Sequence, residues 1–315
     1  MILILSQESE ISTNNVIDWV NHYNHKYYRV NFIDLLCNSP FFYIKFNNTE
    51  KSKYKLKWKD IKVIWLRRWN NLDSIERILT IYNQEEREVN IQLIEALTLE
   101  YNTISKYFFY KLRNKNWLTK PIQANVNKLL VLENALKVGI DIPETLISNG
   151  IKKIKEKDVI TKAMGETLTF SYKNRLWSNY TTHLNTNQKN IPFTLFQETL
   201  QKEFEIRTFF LKGICYSMAI FSQTNNKTKV DFRKYDIQKP NRCVPYKLSK
   251  DLEDKINKLM KRLNLRTGSL DLIQTICGRT VLLEVNPIGQ FGMVSYPCNY
   301  YLERELANQL IIEDI

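Results

Sequence analysis

Apolar positions in the first third of the chain fall into short solid runs joined by stretches of helical spacing. Ile2–Leu5 is an unbroken apolar run, the pattern of a strand covered on both faces. Ser12 or Thr13 can cap a helix running through Val20, and Val30–Leu36 reads as the next strand. Lys62–Leu66 is a further short run, followed by Arg67-Arg68-Trp69. From Ile78 to Leu112 the spacing of Val89, Leu93, Ala96 and Leu97 predicts one or two long helices. Residues 1–120 thus read as an alternating α/β domain. No glycine-rich loop follows the first strand, which argues against a dinucleotide site there.

Pro121 opens a second region, 121–190. Asn125–Val138 predicts a helix ended by Gly139, Pro143–Ile147 leads into a strand, and Val159–Met164 forms another. Polar, Asn-rich sequence over 172–190 predicts an exposed loop or irregular hairpin. Residues 191–315 carry two hairpin signals and a terminal helix: EIRTFFL-KG-ICYSMAI turns at Lys212-Gly213, and SLDLIQTI-CG-RTVLLEV turns at Cys277-Gly278.

Composition narrows the classes. Of 315 residues, 43% are hydrophobic and 25% charged, a globular balance, and no stretch reaches the roughly 20 apolar residues that span a bilayer. The opening MILILSQ lacks the features of an export signal, so a cytoplasmic location without membrane association is expected. Five scattered cysteines without a CxxC pair, and three histidines, favour neither a disulfide framework nor zinc. Lys+Arg 46 against Asp+Glu 33 gives +13, which suits a nucleic acid, an acidic peptide or a nucleoside triphosphate, or serves solubility alone. No nucleic-acid module is present, so no nucleic-acid partner is expected.

A two-residue turn at Cys277-Gly278 places Asp271 opposite Glu284, with Asn286 one pleat further on the same face. Facing carboxylates repel, and three oxygen-bearing side chains suit Mg²⁺; a slipped register, or lysines neutralising the pair from solvent, is the bland alternative. The Lys212-Gly213 turn puts Glu205, Arg207 and Phe209 on one face, where Arg207 either forms an ion pair or holds a phosphate or carboxylate. Asp231-Phe232-Arg233 repeats the acid-x-arginine pattern. Lys162 sits on an apolar strand face and suits a phosphate or snorkels at the strand end; Lys128 opens a helix.

Seven segments share an order: NK at 127–128, GIDIPETLISN at 139–149, VITKAM at 159–164, FQETLQKEFEIR at 196–207, DFR at 231–233, GSLDLI at 268–273 and LEVNPIGQFG at 283–292. In these the chain resembles the ATP-grasp ligases, most closely the microviridin-type, or graspetide, peptide maturases of the grasp-with-spasm kind. WLRRW at 65–69 extends the likeness more loosely, and AMGETL after Lys162 has one glycine where relatives are glycine-rich.

The resemblance implies an ATP-grasp fold of α/β class: an amino-terminal pre-ATP-grasp domain (1–120), a central lobe (121–190) and a carboxyl-terminal lobe with the Mg²⁺ site (191–315). ATP would bind between two α+β lobes. Asp271, Glu284 and Asn286 would hold Mg²⁺. Lys128 and Lys162 would contact phosphates, Gln197, Glu198, Thr199 and Leu200 would form the adenine linker, and Lys202 would join the nucleotide site. Arg207 and Arg233 would steady the γ-phosphate and an acyl phosphate, with Glu205 as base or orienting group. The implied activity is an ADP-forming macrocyclase that joins Asp or Glu side chains of a precursor peptide, leader plus acidic core, to Ser, Thr or Lys. The alternative is a ligase adding amino acids to a terminus. Arg67 and Arg68 could meet the acidic core, with a structural ion pair as the alternative favoured for either one singly, and a homodimer is compatible with the sequence.

Overall fold

The computed structural model describes residues 1–32, 34, 58–69, 87–149, 159–165, 169–172, 175–178, 181–183, 193–223, 238 and 240–315. Along them run β1 (Ile2–Ser6), α1 (Ile11–His22), β2 (Tyr27–Asn31), β3 (Val63–Leu66), α2 (Arg87–Lys111) and β4 (Asn116–Thr119). Next come α3 (Lys128–Lys137), β5 (Thr145–Ser148), β6 (Val159–Lys162), β7 (Thr169–Tyr172), β8 (Arg175–Ser178), β9 (Thr182–His183) and β10 (Thr194–Glu198). The chain ends with β11 (Lys202–Leu211), β12 (Ile214–Phe221), β13 (Arg242–Tyr246), α4 (Lys250–Arg262), β14 (Thr267–Thr275), β15 (Thr280–Asn286), α5 (Gly292–Cys298) and α6 (Leu302–Asp314). Two compact units result, Met1–Ala124 with Tyr301–Ile315, and Asn125–Tyr300.

The first unit is built on a parallel sheet in the order β2-β1-β3-β4. Its central strands β1 and β3 are apolar but for Ser6, because both faces are covered. Leu3, Leu5, Ile64 and Leu66 pack with Phe108, Leu112, Trp69 and Trp117, while α6 lies on α1, β1 and β3. The last turn of α6 is tied down as well: Asp314 pairs with the Met1 amino group and with His25 Nε2 (2.7 Å), and Asn116 donates to Glu313 (2.7 Å). The cap of α1 is Glu10, whose carboxylate accepts from Thr13 N at 2.5 Å. Ser12 and Thr13, the expected caps, therefore lie inside the first turn, and the Thr13 hydroxyl meets Ser6 Oγ instead (3.1 Å). β2 starts earlier than the expected 30–36 strand, and residues 35 and 36 lie outside the described ones.

The second unit holds an antiparallel sheet β5-β10-β6-β9, a β7-β8 hairpin and an antiparallel sheet β13-β12-β11-β14-β15. One face of the larger sheet is covered by α3 and α4: Val131, Ala135, Ile256, Leu259 and Met260 pack on Ile206, Phe210, Leu270, Leu272, Leu282 and Val285. α4 is absent from the sequence-based expectation, although Ser249 caps it and Leu252, Ile256 and Leu259 follow at helical spacing. The Lys212-Gly213 turn is as expected, with positive φ at both residues (45° and 100°) and Leu211 facing Ile214.

The second hairpin reaches its expected pairing by another route. Asp271 does face Glu284, but Gln274 faces Thr280, so the turn is one residue longer than Cys277-Gly278. A β-bulge between Asp271 and Leu272 takes up the difference, with Leu283 as the extra residue on β15. Without it, Asp271 would face Leu283, and Glu284 would point at the helices. Among the described residues no helix is long and apolar enough to cross a membrane.

Candidate functional site: a cleft between two antiparallel sheets

The face of the larger sheet opposite α3 and α4 carries α5 over part of β11, β12 and β13, and its remainder looks into a cleft of about 740 Å³ that the smaller sheet closes from the other side. From the smaller sheet come Ile160, Lys162 and Gln197; from the larger come Glu205, Arg207, Asp271, Ile273 and Glu284. Glu198 ends β10, the linker joining the sheets supplies Thr199, Leu200 and Gln201, and Lys202 stands at the first position of β11. Apolar walls with a few convergent charges are the usual build of a small-molecule site, and the volume falls within the range such sites occupy.

Charge is arranged in a row across three strands. Arg207 lies directly opposite Asp271 on the neighbouring strand and pairs with it, and Asp271 lies opposite Glu284. Glu284 is held from two sides: Lys128 Nζ reaches Oε2 at 3.1 Å while also donating to Ala163 O (3.0 Å), and Asn286 Nδ2 donates to Oε1 at 3.2 Å. The same amide lies 3.5 Å from Asp271 Oδ2. Burial alone would raise both carboxylates. It does so at Asp271, where Arg207 pulls the other way and Glu284 adds to the rise. At Glu284 burial is outweighed by Lys128 and Lys162, with the Asn286 and Lys128 hydrogen bonds, and the group comes down to about 2.

Glu205 is engaged as well. Its oxygens accept from Lys202 Nζ (2.6 Å) and from Ser222 Oγ (2.5 Å), and the whole residue is buried. Ser222 is a site residue that the strand pattern did not single out. It shares the face of Ile220, which the Lys212-Gly213 turn already sets opposite Glu205. Arg233 lies outside the described residues, as does most of the segment after Gly165. Arg67 and Arg68 belong to the first unit, where both approach Glu10 (3.7 and 4.0 Å).

Two features bear on a nucleotide and a divalent ion. The donor set of Asp271, Glu284 and Asn286 is all hard oxygen and amide, the kind Mg²⁺ takes, and Glu284 is held ionised. Among the described residues no cluster of three His, Cys, Asp or Glu side chains is present, so an ion here would lean on the amide, water and phosphate oxygens. At the linker, Gln197 Oε1 and Thr199 Oγ1 are buried without a partner among the described residues. Buried polar atoms in that state are uncommon and suit a ligand edge.

Comparison with known proteins follows the same lines. No family model matches the sequence, and no curated protein matches it. Solved structures do. A RiPP-associated ATP-grasp ligase of Chryseobacterium gregarium, in complex with ADP and a leader and core peptide, superposes with a TM-score of 0.78 at 19% identity, covering 99% of this chain and 96% of that one. The macrocyclase MdnC of Microcystis aeruginosa, bound with precursor peptide MdnA, gives 0.76 at 21% identity over 99% of both chains. The ATP-grasp ligase PsnB, complexed with minimal precursor, Mg and ADP, gives 0.73 at 14%, covering 100% and 97%.

The chain has the ATP-grasp fold. In ATP-grasp terms, the parallel sheet of the first unit is the amino-terminal α/β layer, and the two antiparallel sheets of the second are the α+β lobes that face each other across the cleft.

Proposed function

We propose that the chain is an ATP-dependent peptide ligase that activates Asp or Glu side chains of a precursor peptide and joins them to Ser, Thr or Lys side chains as a ring. The observation that carries this reading is one cleft that gathers two lysines, an arginine and two facing carboxylates beside a linker whose buried hydrogen-bonding atoms lack partners among the described residues. The solved structures of like fold, with ADP, Mg and precursor peptides bound, support it.

A carboxylate is a poor electrophile, and its condensation with an alcohol is uphill in water. Phosphoryl transfer from ATP converts it to an acyl phosphate, which a hydroxyl or amine then attacks, releasing phosphate. Gln197–Leu200 hold the base end of the nucleotide, and Lys162 and Lys202 meet its phosphates. Asp271, Glu284 and Asn286 would hold Mg²⁺, which when bound offsets phosphate charge and orients the transferred group. Arg207 keeps its Nε without a partner among the described residues, a donor for a phosphoryl or acyl oxygen. Lys128 keeps Glu284 ionised. Glu205 has both oxygens engaged and holds Lys202 in place, a role in positioning rather than as a base.

Co-expression with a candidate precursor, a short acidic peptide rich in Ser and Thr behind a leader, tests the reading by mass spectrometry. Loss of one water per ring is expected; a gained residue mass would instead mean ligation at a terminus. Glu284→Gln and Asp271→Asn should abolish ADP formation at an unchanged circular-dichroism spectrum, and near-normal turnover would remove these residues from the site.

A further inference from the structure

On the smaller sheet, Gln197 of β10 lies directly opposite Thr145 of β5 on one side and Ile160 of β6 on the other. Ile160 and Lys162 line the cleft, so alternation along the strands puts the Gln197 side chain on the cleft face. The amide of a glutamine can be turned either way, and what fixes it is the proton order around it.

Here that order is settled by a neighbour. The Thr145 hydroxyl donates to the carbonyl of Pro143 at 2.7 Å, which commits its one proton. Towards Gln197 it can therefore only accept, and Gln197 Nε2 donates to it at 3.0 Å. Turning the amide would set two oxygens against each other at that distance. The carbonyl oxygen Oε1 is consequently held away from Thr145, buried and without a donor among the described residues. A ligand edge that meets it must bring an N–H.

We propose that Thr145 is a positioning residue that, through the Gln197 amide, makes the cleft select a 6-amino purine over a 6-oxo purine. The inference rests on the nucleotide reading of the cleft and adds to it the residue that sets base discrimination. An exocyclic amine supplies the donor that Oε1 lacks. A 6-oxo group confronts it with a second acceptor, and relief by turning the amide forfeits the bond to Thr145. The loss of one hydrogen bond plus one unsatisfied buried acceptor corresponds to a preference of about 10- to 100-fold.

The test is direct binding of ATP and inosine triphosphate, each with Mg²⁺, by calorimetry on the full chain, with no peptide required. ATP should bind about 10- to 100-fold more tightly than the 6-oxo nucleotide. Thr145→Val, close in shape but without the hydroxyl, should bring the ratio down towards one, while Thr145→Ser should restore it. A lesion that merely loosened the sheet would weaken both nucleotides alike and leave the ratio unmoved. Should Thr145→Val fail to fold, Gln197→Met, which removes the amide, is expected to lose the preference in the same way. Equal binding of the two nucleotides by the wild type, or an unchanged ratio in the folded variants, overturns the proposal while leaving the ligase reading intact. Binding of neither nucleotide overturns both.

Discussion

Single side chains set the electrostatics of the cleft. Lys128 pairs with Glu284 at 3.1 Å, and the folded-state pKa of Glu284, about 2, lies below its ordinary 4.5. A depressed carboxylate stabilises the fold above its ordinary value, and that contribution fades as pH falls towards the folded value. The stability difference between wild type and Lys128→Met should therefore be full above about pH 4.5 and shrink to nothing near pH 2, read from thermal unfolding across that range. Cysteines divide in the same physical way. Burial pushes Cys215 up to about 12, whereas Cys277 is exposed and is lowered by hydrogen bonds from Thr275 and the Arg279 backbone. A thiol reagent at neutral pH should modify Cys277 well ahead of Cys215, and Cys277→Ser should remove that fast phase. Strand alternation places Glu284 and Asn286 on one face, but their meeting with Asp271 depends on the bulge beside it, and the pairing of Asp271 with Arg207 on the next strand carries no sequence signal. The engagement of Glu205 by Ser222 was not legible either, since a serine past a strand end carries no pattern of its own.

At the scale of elements, the β14–β15 hairpin shows how a correct pairing can follow from a wrong turn. A turn one residue too short and an overlooked bulge compensate each other, and both follow from Leu283 being extra. Apolar Leu282 and Leu283 in succession gave no alternation to betray the break. After β15 the chain doubles back closely: a Cβ on Gly289 would lie 2.5 Å from both Ser269 Cβ and Oγ. Gly289→Ala should destabilise by about 1–3 kcal/mol and weaken Mg²⁺-dependent ADP binding by displacing Asn286, while adding Ser269→Gly should recover part of both. The tip of the same hairpin reaches the linker. Arg279 pairs with Asp141 (2.7 Å) and Glu198 (3.4 Å), and Ile276 N donates to Gln201 O (3.1 Å). Each such half-exposed pair is worth only about 0.2–1 kcal/mol. Arg279→Ala should accordingly raise the KM for ATP by about three- to tenfold with kcat little changed. A KM equal to wild type would show that the linker holds its place unaided.

In the molecule as a whole, the chain order and the spatial order part company. The sheet of the first unit was readable as solid apolar runs, but nothing in Leu302–Asp314 itself says that this helix packs on α1, β1 and β3, because an amphipathic stripe names no partner. Leu302, Leu306 and Leu310 are buried there, at about 1.5–3 kcal/mol each, against a typical domain stability of about 5–15 kcal/mol. Ending the chain at Tyr300 should therefore lower the melting transition of the first unit sharply, and an apolar-surface dye should bind. Every described residue lining the cleft lies within 125–300, so Mg²⁺-ADP binding should survive the truncation. The return of α6 also bears on biosynthesis. On a translating ribosome the unit that holds the cleft emerges entire while its older neighbour still waits for its closing segment. Arrested nascent chains should thus gain protease resistance in the middle before they gain it at the start, an inversion of the vectorial order in which the polypeptide is made.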